Sequence, residues 1–227
     1  MKTIRRAFMA SLPVMAGYLT LGFGFGVLLY TKGYNAWWAL AMSACIYAGS
    51  MQYVAVDLLT GGASLITAAL TTLMVNARHI FYGASLLDRY KGAGKKKPYL
   101  VFALTDETYS LICADTAHNN DADRHRFDFW VSLFDHLYWI GGSVLGGLAG
   151  AALPLNFEGI DFALTALFVT IFVEQWISNK DHTAAIVGVV CSVVCLIIFG
   201  ADAFLIPAMV AISVVLWLLR RRRGAKQ

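Results

Sequence analysis

About eight apolar stretches of membrane-crossing length, or near it, follow one another along this chain with only short joins. They fall near 7–30, 36–60, 63–87, 99–115, 127–153, 160–178, 183–199 and 203–219. A helix that crosses the hydrocarbon core needs about 20 mostly apolar residues, range ~17–25. Lipid satisfies no backbone N–H or C=O group, so helices are the element such stretches form. The longest polar stretch, 115–128, is too short to enclose a core of its own. With 59% of residues hydrophobic and 14% charged, the chain is too apolar for a soluble domain of ordinary usage. The expected fold class is an all-α integral membrane protein of about 6–8 membrane segments. Lys2, Arg5 and Arg6 ahead of apolar residues superficially resemble a signal peptide. The apolar run behind them outlasts a ~7–15-residue signal core, which predicts a retained first helix.

Several functions fall away. No G-x-x-x-x-G-K-[ST] motif occurs, so P-loop nucleotide hydrolysis is excluded. Cys45, Cys113, Cys191 and Cys195 lie in apolar segments without clustered His or carboxylate neighbours, which argues against a zinc site. No cofactor is expected. The net charge of +4 reflects membrane-flanking loops rather than nucleic-acid affinity.

Basic residues predict topology, because Lys and Arg gather in cytoplasmic loops near helix ends. They form three clusters: residues 2–6, residues 89–97, and Arg220 to Arg223 with Lys226. If segments 2 and 6 each enter and leave on one side, 14 basic residues face inward. Three (Lys32, Arg124 and Arg126) then face outward, with Arg78 buried. This reading puts both termini and residues 88–98 in the cytoplasm and 116–126 outside. It also suits an internal repeat between 12–76 and 131–198. Each opens on a glycine-rich helix, reaches a central glutamine (Gln52, Gln175) and closes on an apolar helix. One odd crossing between them makes the repeat inverted, a common plan for secondary transporters. The expected organisation is a single transport domain over 1–227. It comprises repeat 1 at about 7–87, a linking helix 99–115, repeat 2 at about 127–199 and a last helix 203–219.

Charge inside the apolar segments marks the site. Thirteen uncharged residues, Ala63 to Val75, precede Asn76-Ala77-Arg78-His79, and eight more separate His79 from the next charge. A cation at that depth costs at least ~2.5–3.5 kcal/mol, so it faces a partner, a wet cavity or a substrate. In segment 2, Gly49, Ser50 and Gln52 suit a broken helix whose N-terminus presents free N–H groups to an anion. A straight helix with a small-residue packing face is the competing reading. Asp106 and Glu107 lie in segment 4, about 100° apart on a helix.

The stretches Tyr47 to Gln52, Asn76 to His79, Leu104 to Glu107 and Asp161 to Leu164 together resemble the AzlC-type family, in order and over nearly the whole chain. Its members are large subunits of bacterial branched-chain amino-acid exporters. The resemblance implies export of leucine, isoleucine, valine and sometimes methionine. It also implies an AzlD-type partner, a small hydrophobic membrane subunit.

The residues agree with a zwitterionic substrate. Arg78 can hold a carboxylate bidentately. Gly49 and Ser50 offer N–H groups, Gln52 and Asn76 line the site, and Asp106 can meet the ammonium. The competing reading pairs Arg78 with Asp106 internally, and the two roles can coexist. The titratable candidates for proton coupling are His79, Asp106, Glu107, Asp135, His136 and Glu174, with His79, Glu107 and Glu174 preferred; His79 has the pKa range suited to neutral pH. Asp135 and His136 read as interfacial, in the first third of segment 5. The stripe Gly142, Gly146 and Gly150 invites close helix approach, against segment 1 or a partner. The leading function is secondary, proton-coupled export of branched-chain amino acids. An uncoupled facilitator or channel for a small polar solute is the alternative. An embedded scaffold or enzyme is the third class, and no paired nucleophile and base supports it.

Overall fold

The computed structural model of the chain describes residues 2–115, 121–152, 181–200 and 204–224, with scattered positions between 162 and 177. All the regular structure among these is helical. Two compact units form, Met1–Thr165 and Ala166–Gln227.

Two long helices build the first unit, α1 (Lys2–Thr31) and α8 (Asp121–Ala152). Among the described residues, α1 is the one helix both long and apolar enough to cross a membrane on its own. The pair runs parallel: Thr3 Oγ1 donates to Asp123 at 2.5 Å, Ser11 meets Tyr138, and Tyr30 lies against Gly150. Small residues set the approach. A Cβ added at Gly146 would stand 2.0 Å from the Phe23 carbonyl oxygen. One at Gly26 would stand 2.0 Å from that of Ser143. The glycine stripe of segment 5 is therefore used inside the chain, against α1.

Segment 2 is a hairpin. Asn35 caps α2 (Ala36–Cys45) by accepting from Trp37 N, and Ala36 lies against Gly147. At the far end of α2 the Ser43 carbonyl meets His136 Nε2 at 3.1 Å. The chain turns through Tyr47, whose φ of +46° is strained for a bulky residue. Gln52 holds that turn: its Oε1 accepts from Ala48 N and Trp139 Nε1, and its Nε2 donates to Ser43 Oγ. Then α3 (Gly49–Thr60) climbs back, and Tyr53 Oη donates to the Leu21 carbonyl at 2.7 Å.

Segment 3 continues through α4 (Leu65–Asn76), opened by the Ser64 cap, and α5 (Arg78–Ser85), with the break at Ala77. No residue of α4 is buried. It leads to the basic loop, where Arg89 forks onto Asp128 at 2.7 and 2.9 Å.

Segment 4, expected as a crossing helix, is instead a second hairpin. Its first arm, α6 (Lys97–Phe102), rises to His136 through Tyr99 and Phe102. Its second arm, α7 (Asp106–Ala114), descends until Asp115 lies 3.5 Å from Arg6. The cause is local. Thr105 caps a new helix by accepting from Thr108 N, and Asp106 and Glu107 suit its positive first turn. The hairpins dip from opposite ends and meet near mid-depth, where the Tyr47 ring stacks 4.2 Å from His136.

One further expectation is corrected. Residues 121–126 share an end with the N-terminus, because Asp123 binds Thr3 and Arg6. The helices that open the two expected repeats, α1 and α8, run parallel, and most of the second stretch beyond 152 lies outside the described residues. In the second unit α9 (Thr183–Phe199) packs on α10 (Leu205–Gly224), and both expose large apolar side chains.

Candidate functional site

Three helix N-termini gather around Arg78. It opens α5, Gly49 and Ser50 open α3, and Asp106 opens α7. Arg78 Nη1 donates to Asp106 Oδ2, and Arg78 Nη2 donates to Ser50 Oγ at 2.9 Å. Both broken segments and the hairpin of segment 4 are needed to make this junction. Arg78 and Asp106 side chains remain 31% and 28% exposed. The internal ion pair expected as the competing reading does form.

The electrostatics favour an anion. Each helix N-terminus carries partial positive charge, and that of α7 is capped by Thr105. No side chain of the Ala48 N-cap closes the start of α3. A guanidinium beside N–H groups matches the planar geometry of a carboxylate. Asp106 occupies that position internally.

The other expected residues fall into place differently. Asn76 sits at the end of α4, where its backbone carbonyl meets His79 Nδ1 at 3.1 Å. The His79 ring packs edge-on to Tyr82. Gln52 is fully buried, with its amide engaged by Ser43, Ala48 and Trp139. That geometry braces the turn beneath Gly49. Glu107 lies 2.7 Å from Tyr18 Oη. Glu174 and its neighbour Gln175 lie outside the described residues. Among the described residues no cluster of three metal-ligating side chains occurs.

Asp135 and His136 are corrected most. They are 0% and 8% exposed rather than interfacial. The reason is helix length. Because α8 begins at Asp121, Asp135 lies about 21 Å along it at ~1.5 Å per residue. Tyr18, Thr105 and Thr108, which connect to these groups, were not anticipated. The T-D-E capping pattern was the one signal for Thr105, and nothing in the apolar run around Tyr18 marks it.

Outside the site, the half-buried Arg89 pairs with the fully buried Asp128 at the basic end. Burial acts to lower the Arg89 pKa, and the hydrogen bonds and charge of Asp128 more than offset it, so it is raised.

Comparison with known proteins adds an independent line. The family model described as AzlC protein matches residues 13–153. A Bacillus subtilis protein named "Branched-chain amino acid transport protein AzlC" is 46% identical, over 96% of this chain and 85% of its own length. An uncharacterized membrane protein of Helicobacter pylori is 40% identical, over 98% of this chain and 97% of its own. The Escherichia coli "Inner membrane protein YgaZ" is 29% identical, over 90% and 84%. No solved structure matches.

Proposed function

The chain belongs to the AzlC family, and from that premise and the Arg78 junction we propose that it exports branched-chain amino acids by proton-coupled secondary transport. The observation that carries the reading is the convergence of Arg78, Asp106 and Ser50 at the start of three helices. A free amino acid presents a carboxylate and an ammonium a few ångströms apart. Arg78 with the N–H groups at Gly49 and Ser50 receives the first, and Asp106 the second. Gln52 holds the turn ahead of α3 in shape, and Asn76 stands next to the junction at the end of α4. Glu107 and His79, beside the junction, take up and release protons, with Glu174 as a further candidate.

Orientation follows from charge. Residues 1–165 hold twelve lysines and arginines. Ten lie at the end that joins the N-terminus, the 89–97 loop and the start of α8; Lys32 is at the other end and Arg78 between. The basic end is the cytoplasmic one, in a bacterial inner membrane. Exposed apolar side chains on α4, Leu65 and Ile66 among them, offer a face to lipid or to a small AzlD-type subunit.

The test is Arg78→Lys. Lysine keeps the charge and loses the fork. Leucine transport falls about tenfold or more, in line with the ~1.5–3 kcal/mol of a charge-assisted hydrogen bond, while insertion is unchanged. Parent-like transport by Arg78→Lys contradicts bidentate carboxylate binding. If Arg78→Ala and Asp106→Ala each fail to assemble and the double variant assembles, the pair is structural alone.

A further inference from the structure

Five side chains from three helices and one cap form a continuous hydrogen-bonded line through the first unit. Glu107 Oε2 lies 2.7 Å from Tyr18 Oη, and Tyr18 Oη lies 2.7 Å from Thr105 Oγ1. Thr105 Oγ1 is 3.0 Å from Thr108 Oγ1, which is 2.8 Å from Asp135 Oδ2. Tyr18, Thr105, Thr108 and Asp135 are buried, and Glu107 is half-buried. One end of the line is thus within reach of the Arg78 junction, since Glu107 follows Asp106. The other end is sealed. Asp135 Oδ1 is buried without a hydrogen-bond partner, and among the described residues no cation pairs with this carboxylate.

Counting protons makes this line more than a packing detail. It has four links, and each needs one proton. Its three hydroxyls carry one proton each. The fourth must come from a carboxyl group at one end. We propose that Glu107 and Asp135 share a single proton through Tyr18, Thr105 and Thr108, and that this relay is the proton path of transport. The proposal rests on the proton-coupled reading above.

The chemistry balances without any other reactant. With the proton on Glu107, its O–H donates to Tyr18, Tyr18 to Thr105, Thr105 to Thr108, and Thr108 to an ionised Asp135. Passage breaks the Glu107 O–H bond and forms one at Asp135, and each hydroxyl gives up one proton and gains another. Every donor then points the opposite way. Thr105 Oγ1 keeps its bond from Thr108 N in both states. An ammonium arriving beside Asp106 and Glu107 favours the ionised Glu107, and so drives the proton to Asp135. Its departure reverses the shift. Amino acid and proton thereby exclude one another at Glu107, which is the logic of exchange.

Other titratable groups surround the line. Tyr47 at the α2–α3 turn and Tyr99 on α6 feel the charge of Asp135. His136, next to it, is held by Ser43 O and Tyr99 Oη. Tyr18, Tyr47 and Tyr82 feel Glu107, and Arg78 and Asp106 stand beside it. A phenol that joins the line adds one proton and one link, which leaves the count unchanged.

The test reads the carboxylic-acid carbonyl band in infrared difference spectra of the purified protein at neutral pH, with any small subunit that co-purifies. The parent shows an acid band. Glu107→Gln supplies an amide N–H to Tyr18, completes the line without an acid, and leaves Asp135 ionised. Asp135→Asn does the same from the other end. The band is lost in both. If it persists in Glu107→Gln, Asp135 holds its own proton and the relay is overturned; a parent without the band overturns it too. Should the buried Asp135→Asn variant misfold, Glu107→Gln decides alone. Thr108→Val, which cuts the line, abolishes flux driven by a pH gradient; undiminished flux in it removes the relay from transport. If the parent itself ignores a pH gradient while the band test succeeds, the coupled reading fails and the shared proton stands.

Discussion

Gly146→Ala is the change the packing of α1 on α8 tolerates least. The new methyl carbon would meet the Phe23 oxygen, carbonyl carbon and Cα at 2.0, 2.8 and 2.9 Å. Ordinary contact begins near 3.4 Å, so the helices must part by roughly 1.4 Å. The obstacle is backbone, and no rotamer change relieves it. Overpacking typically costs ~1–3 kcal/mol, and a forced helix separation belongs at the upper end. Against it stands a gain of about 1 kcal/mol from helix propensity. Gly188→Ala on α9 is the control, because a Cβ there meets nothing within 4 Å and only the gain remains. The two variants should differ by roughly 2–3 kcal/mol, which is on the order of 10 °C in midpoint. Thermal inactivation in detergent reads this directly. Separation of α1 from α8 also pulls Tyr18 from its edge contact with Trp139, so transport falls with stability. If Gly146→Ala melts with Gly188→Ala, the close approach is wrong.

Two more outcomes follow from the basic end. Arg89→Ala leaves the fully buried Asp128 carboxylate without its fork and costs about 3–5 kcal/mol; a variant as heat-resistant as the parent contradicts the pair. Single cysteines in a cysteine-free background test the corrected topology, at exposed Lys95 and Asp121 on one end and exposed Lys32 on the other. An impermeant maleimide on intact cells should label K32C and spare both K95C and D121C. Different behaviour of K95C and D121C separates the loop from the start of α8 and rejects the arrangement.

How far the sequence could be read depended on which signals are local. Arg78 was legible because an isolated cation in an apolar run has few explanations. Gly49 and Ser50 were legible as a break because small and hydroxyl residues interrupt an apolar helix at its centre. The hairpin of 99–115 was missed although Thr105, Asp106 and Glu107 spell a helix start. Its apolar flanks made it read as one crossing. The direction of α8 was missed because counting charges alone placed Arg124 and Arg126 outside. Pairing of Arg6 and Thr3 with Asp123 is a contact between residues more than a hundred positions apart, and no periodicity encodes it. The line from Glu107 to Asp135 is likewise long-range. Tyr18 shows no pattern of its own and acquires its role only when α1 meets α7.

The central claim is that the Arg78 junction recognises a free amino acid by its two charges. Counterflow of labelled leucine in vesicles, with and without the small subunit, tests it most directly. Vesicles preloaded with leucine should accumulate the label, with unlabelled leucine competing and leucinol, which lacks the carboxylate, failing to compete. Absence of counterflow in both preparations, or competition by leucinol equal to that by leucine, contradicts the claim.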